Sequence, residues 1–340
     1  MPHPPLSPPS QLILRHDPSA PGDLLSDPGD SSGIERSSID LKAEWFVLRG
    51  LPVVTALLCL AMLASWLPHY LTWPWWPDLD TNATMALSWS QGLLPYRDLT
   101  AFAFPGQIYV FRILNEVFRP GQTWPIYALD AVLVVSFGLM LILWSTRRFG
   151  RTWPGLVGFS ALLWYYTNLN FSLVAQRDWQ ATCLIGLALL TPSTWPGRWA
   201  RFASAIATTA AFTFRPHVIV FGPALLMAIR ASHQAKRIRG TVGWIGMVFS
   251  GVVLAFSPLI VQGIFDDFLQ GVRLASYGSR YSRTTPTGMI TGVIRQATEL
   301  RWLAVPMVLA LLGWSSGEAI RRESRIWLTA AASVLLYKPL

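Results

Sequence analysis

Three carboxylates, Asp78, Asp80 and Asp98, lie close together in the stretch P-D-L-D-T-N-A-T-M-A-L-S-W-S-Q-G-L-L-P-Y-R-D at residues 77–98. A positioned Asp can act as a general base that deprotonates an acceptor hydroxyl. The Asp78-x-Asp80 pair has a second chemistry open to it. Oxygen ligands suit a divalent cation such as Mg or Mn, so the pair can instead hold a metal. Both uses compete with structural ones. Asp80 fits an N-cap for a helix over 81–92, and Asp98 fits a turn residue or an ion pair with Arg97.

These groups sit in an apolar chain. Of 340 residues, 52% are hydrophobic and 13% are charged, with a mean hydropathy of +0.39. A soluble domain usually carries about 25% charged residues. Apolar runs near the roughly 20 residues needed to span a bilayer recur from residue 46 onward. Their apolar residues are continuous rather than alternating, which excludes a β-barrel pattern. The expectation is an all-α polytopic membrane protein with about nine transmembrane or membrane-embedded helices, whose main partner is the lipid bilayer.

The spans expected are 46–67, 124–146, 153–168, 179–193, 202–214, 217–230, 241–263, 302–319 and 326–340. Short basic connections lie between alternate pairs: R-R-F-G-R at 147–151, W-P-G-R-W-A-R at 195–201, R-A-S-H-Q-A-K-R-I-R at 230–239 and R-R-E-S-R at 321–325. By the positive-inside bias these are cytoplasmic. The chain is then a multi-pass protein of the inner (plasma) membrane with its N-terminus inside. The same distribution explains the formal charge of +9 without nucleic acid. Residues 1–45, rich in Pro and Ser, read as a disordered cytoplasmic tail, and 46–340 as the membrane domain. The apolar run at the C-terminus has no polar segment after it, which suggests a truncated chain. Cys59 and Cys183 lie in apolar segments and read as small buried hydrophobes, and the five histidines show no metal-ligand spacing.

The outer connections are 68–123, 169–178, 214–217 and 264–301. In the first, Trp73, Trp75 and Trp76 sit where aromatic rings favour the interface. Pro77 then breaks the chain. A helix over 81–92 ends at Gly92, and Pro105-Gly106 precedes an amphipathic helix over 107–118. Together these helices form a platform on the bilayer surface. Residues 202–230 hold two apolar runs split by Phe214-Arg215-Pro216-His217. Each run is too short to cross a core of about 30 Å, so the backbone there belongs inside protein or beside a polar cavity.

Positive charge on the outer side is unusual, and it offers anion sites. Arg177 and Arg215 stand at helix junctions, and Arg280 and Arg283 lie in the G-S-R-Y-S-R of loop 264–301 beside Tyr277 and Tyr281. Snorkelling beside Asp178 is the simpler reading of Arg177. Asp130, a turn inside the second span, is a functional or structural-pair candidate because intramembrane carboxylates are costly. Asn82-Ala83-Thr84 and Asn170-Phe171-Ser172 match the glycosylation sequon, a pattern short enough to arise by chance.

Asp78, Gly92, Pro95-Tyr96-Arg97-Asp98 and Pro105-Gly106 resemble the first outer loop of GT-C glycosyltransferases, integral membrane enzymes of the protein O-mannosyltransferase and aminoarabinose transferase type. Ala175-Gln176-Arg177-Asp178-Trp179 resembles a Q-R-E element of some bacterial members, and Phe214-Arg215-Pro216-His217 a Lys/Arg-Pro element. The likeness covers about residues 45–300. This chain departs in having Asp-Leu-Asp where members often show Asp-Glu or Asp-Gly, and Asp178 where the element carries Glu. A C-terminal soluble domain common among members is missing.

The resemblance implies inverting transfer of a hexose or pentose from a polyprenyl-phosphate donor to a hydroxyl of a glycan, lipid or protein acceptor on the outer face. Asp78 or Asp80 would be the base. Arg177, Arg215, Arg280 and Arg283 would neutralise the leaving phosphate, or a divalent cation would, and Tyr96, Asp98 and Asp178 would support the site. A transporter or flippase of a lipid-linked or anionic substrate is the alternative from another class, but such proteins commonly show paired repeats and mid-membrane sites. The chain has no repeat, and most of its candidate polar groups gather near one face. An inactive fragment or assembly subunit is the third reading.

Overall fold

The structure, a computed structural model, describes residues 49–100, 103–232, 237–283, 291 and 318–337. The described residues are helical and hold no strands, only an isolated bridge between Pro95 and Leu99. In chain order the helices are α1 (Leu51–Tyr70), α2 (Pro77–Ser90), α3 (Gly106–Val117), α4 (Trp124–Phe149), α5 (Trp153–Thr167), α6 (Arg177–Thr194), α7 (Arg198–Phe214), α8 (Gly222–Ala231), α9 (Arg237–Val261), α10 (Phe265–Arg283) and α11 (Glu318–Tyr337). Short 3-10 turns at Phe171–Leu173 and Pro216–Phe221 precede α6 and α8.

Three helical stretches are long and apolar enough to cross a membrane: Leu51–Tyr70, Trp124–Phe149 and Ile238–Val261. Each keeps an outward apolar side, shown by exposed Leu57 and Leu60, Val132 and Leu139, and Phe249 and Leu254. Such a face in water would be a liability; in a bilayer it meets lipid. The sequence-based count of nine spans is coarser in the structure. The other helices are shorter or more polar, and α6 packs among α4, α7 and α8 instead of facing outward. The expected span 302–319 and the tail 1–45 lie outside the described residues, apart from the first residues of α11.

Local chemistry explains where several elements depart from expectation. Pro77 does not break the chain; it opens α2 at a position where its missing N–H is no loss. Asp78 and Asp80 therefore lie in the first turn, and neither is the cap, which is Trp76 in extended backbone. Carboxylates there favour the positive end of the helix dipole. Gly92, at φ +96°, follows the C-cap and ends α2 in a conformation that suits glycine. Arg215 is extended (φ −148°, ψ 110°) because Pro216 bars the helical region for the residue before it. The second apolar run of 202–230 is thus a 3-10 turn plus the ten-residue α8. The expected loop 264–301 begins as helix α10, whose Phe268 packs edge-on against Tyr96 and Phe104.

The platform helices α2 and α3 pack on each other, and α3 also meets the end of α7. Gly106 makes the second contact: a Cβ there would stand 2.7 Å from the Thr213 carbonyl carbon and 2.7 Å from its Oγ1. Backbone cannot yield as a side chain can. Gly106→Ala is expected to cost about 1–3 kcal/mol and to shift the Phe214-Arg215 corner. A lowered thermal midpoint of the purified protein would show the first effect.

Candidate functional site

Several of the residues expected to do chemistry lie at one end of the bundle. Helix α1 ends there, α2 begins there, α6 begins there and α7 finishes there. Arg177, the first residue of α6, is the hub. It lies within electrostatic reach of Arg215, Asp178, Asp78 and Tyr96. Burial lowers its guanidinium's affinity for the proton, the like charge of Arg215 adds to this, and Asp178, Asp78 and Tyr96 oppose it. Arginine stays charged through such shifts. Among the described residues Arg177 closes no ion pair, so its donors are not committed to a carboxylate.

Arg215 differs. Its Nη2 donates to Asp178 Oδ2 at 2.6 Å, while Nε stands 2.5 Å from Oδ1 without the alignment of a hydrogen bond. This pair joins the start of α6 to the end of α7. The Arg215 side chain is 26% exposed and that of Asp178 45% exposed, so the pair is a positional clamp of modest stability. Asp178→Asn is expected to leave the melting temperature within a few degrees, since an exposed pair contributes only about 0.2–1 kcal/mol. A larger drop on calorimetry would show the clamp to be structural.

Asp78 and Asp80 are both exposed, but they are not equivalent. Two positions apart on a helix is about 200° of rotation, so the two side chains do not face one another. Asp78 is the one in reach of Arg177. The same geometry bears on the metal reading. The two carboxylates point to different sides of α2, and no group of three or more metal-ligating side chains occurs among the described residues.

The P-Y-R-D segment forms one flank. Tyr96 takes φ +71°, unusual for a non-glycine residue. It donates its hydroxyl to Ala103 O at 2.9 Å, and burial raises its pKa so that it remains a neutral phenol. Asp98 does not pair with Arg97. Its Oδ2 accepts from the Leu94 N–H at 2.7 Å. Arg97 reaches instead to Asp267 at 2.9 Å and to the Gly263 carbonyl, holding the loop to the α9–α10 corner. The side chains of Arg280, Arg283, Tyr277 and Tyr281 on α10 lie outside the described residues.

Behind the cluster runs a chain of buried polar groups, of which the sequence singled out only Asp130 and, as part of a sequon, Asn82. Asn82 Nδ2 donates to Asp78 O at 2.8 Å and to Gln107 Oε1 at 2.9 Å. Gln107 Nε2 donates to Ala175 O at 3.2 Å and lies 3.5 Å from Gln180 Oε1. Gln180 approaches Asp130, though its Nε2 completes no aligned bond. Asp130 then accepts from the hydroxyls of Tyr70, at 2.7 Å, and Tyr166. The Tyr166 oxygen accepts from the Ala175 N–H at 3.1 Å. Ala175, at φ +53°, stands two residues before Arg177. Non-glycine residues in this conformation persist where their surroundings over-determine them, and two of them flank this cluster. Asn82 is 3% exposed, which makes its sequon inaccessible in the folded chain.

Compared with known proteins, this chain matches no family model, no curated protein and no solved structure.

Proposed function

We propose that this protein is a membrane glycosyltransferase that moves a sugar from a polyprenyl-phosphate donor to an acceptor hydroxyl. The observation that carries the reading is that Asp78, Arg215 and Tyr96 each lie within electrostatic reach of Arg177 at the entry of α6, beside the Arg215–Asp178 pair that joins α6 to α7. A carboxylate beside an uncommitted cation is what such a transfer needs. Asp78 takes the proton of the acceptor hydroxyl. The oxygen attacks the anomeric carbon from the face opposite the phosphate, and the bond between that carbon and the phosphate oxygen breaks with its electron pair staying on the phosphate. The configuration inverts.

Arg177 receives the charge that develops on the leaving phosphate, a task worth most where water is scarce. Arg215 ranks second because its guanidinium already serves Asp178. Tyr96 is a hydrogen-bonding wall and not a base. The positive-inside bias of the short basic connections supports an outer-face cluster and a cytoplasmic N-terminus.

The test is transfer by the purified full chain in lipid nanodiscs. Polyprenyl-phosphate donors carrying labelled hexoses and pentoses are offered with a mixed set of hydroxyl acceptors. Label should move to an acceptor and free polyprenyl phosphate should appear. If folded protein releases no polyprenyl phosphate from any donor, the reading fails.

A further inference from the structure

The end of the bundle away from Asp78 holds a different site. Arg148, eighteen residues beyond Asp130 on α4, is about 27 Å further along that helix. Beside it a cavity of about 450 Å³ opens between α8 and α11. Its floor is Met227, Ala231 and Ile326, and its walls are four arginines: Arg230 from α8, and Arg321, Arg322 and Arg325 from α11.

None of the seven lining residues is acidic. A carboxylate, Glu323, lines the adjoining cleft and pairs with Arg148 Nε at 3.0 Å. Burial raises its pKa, and Arg148 and then Arg322 oppose that rise. The pocket therefore carries a local excess of positive charge. Hydrogen bonds hold α11 against the α8 segment beside it. Arg322 Nη1 donates to Ala231 O at 3.3 Å, and Ser333 Oγ donates to Val220 O at 2.9 Å, tying α11 to the α8 segment.

Its depth in the membrane follows from its neighbours. Trp327, two residues beyond Arg325, packs edge-on against Trp144 with ring centroids 5.7 Å apart. Arg147 lies over the Trp195 ring at 5.2 Å. Trp199, 70% exposed, follows four residues after Trp195 at the start of α7. Indole rings gather at the headgroup level of a bilayer. Basic pockets between helices at that level suit lipid phosphate, and the apolar floor suits the glycerol and first acyl carbons.

We infer that this pocket binds the phosphate of an anionic lipid headgroup, as a structural or regulatory site separate from the Asp78 cluster. The probes are vesicle-derived nanodiscs of phosphatidylcholine with phosphatidylglycerol, and, as a soluble source of the same chemistry, inorganic pyrophosphate. Native mass spectrometry of the full chain counts retained phosphatidylglycerol, and calorimetry follows pyrophosphate.

The wild type should retain phosphatidylglycerol in preference to phosphatidylcholine. Arg321→Gln/Arg325→Gln should weaken retention roughly 30-fold, in line with two lost surface charges. Arg230→Gln, on the other helix, should weaken it as well, which covers the case in which the double variant does not fold. Arg119→Gln removes the same charge at a distant loop and should change nothing. If only pyrophosphate binding falls in the pocket variants, the site takes a soluble phosphate and the lipid assignment is overturned. If neither probe distinguishes the pocket variants from wild type and Arg119→Gln, no phosphate site exists there.

Discussion

Asp78→Asn should reduce sugar transfer by about 10²–10⁴-fold, the usual contribution of a positioned general base, while Asp80→Asn should stay within a few-fold of wild type. The asymmetry comes from the helix. Both residues occupy the first turn of α2, so both favour its dipole and both substitutions weaken that term similarly, by roughly 0.3–1 kcal/mol. Stability alone therefore does not separate them. Position does, because only one side of the turn meets the Arg177 face, and Asp78 is the residue in electrostatic reach of it. Asn at 78 keeps the shape and loses the ability to take a proton.

The loss should fall on kcat, with donor KM changed little, because the proposed mechanism gives the donor phosphate to the arginines. The reverse pattern belongs to Arg177→Gln, where donor binding and leaving-group stabilisation weaken together. Rates for the three variants, at saturating and at limiting donor, make the comparison. Equal losses at 78 and 80 would mean that the turn matters as a whole, and the assignment of the base would fall.

Much of this cluster was legible in the sequence because its members carry unusual chemistry for their surroundings. An acid after an apolar run, an Arg before a Pro, and a Gln-Arg-Asp at a helix entry each stand out against lipid-facing residues. Glycine and proline also gave several of the α2, α3 and α7 boundaries to within a few residues, since their backbone limits are intrinsic. Pairing was not legible. Arg97 looks local to Asp98, yet its partner, Asp267, lies 170 residues on. The start of α2 was misjudged because proline is both a breaker and a good first residue, and only the geometry of Trp76 decides which.

The buried amides escaped for a different reason. Asn82, Gln107 and Gln180 are neutral, and each sits alone on its own helix. Nothing in one-dimensional spacing says that three helices bring them into one line. A polar residue interrupting the apolar face of a helix was the available signal: Gln107 adjoins Ile108 and Gln180 adjoins Ala181, both buried. The span count is a related case. Apolar runs near the length limit look alike in sequence whether they face lipid or protein. Helix α6 shows the difference, since most of its surface is covered by neighbouring helices.

Asp130→Ala should be strongly destabilising. Asp130 is 1% exposed and accepts from two hydroxyls that are themselves fully buried, those of Tyr70 and Tyr166. Removing the carboxylate leaves those donors with each other, 3.2 Å apart, and one such bond satisfies one proton at most. An unsatisfied buried donor costs about 1–3 kcal/mol, and the space left behind adds a cavity term. The change should reduce stability by about 3 kcal/mol or more in total.

Its consequence for activity follows the chain of contacts. Asp130 orients Tyr166, Tyr166 accepts from the Ala175 N–H, and Ala175 sets the left-handed turn that delivers Arg177. Asp130 is therefore a positioning residue, and its loss should raise donor KM more than it lowers kcat. Asp130→Asn keeps an acceptor oxygen of the same shape and should restore a large part of the melting temperature. Thermal unfolding in one detergent, run beside donor titrations, reads both effects. If Asp130→Ala melts like wild type, the tyrosine hydroxyls find other partners and the tie between Asp130 and Arg177 does not exist.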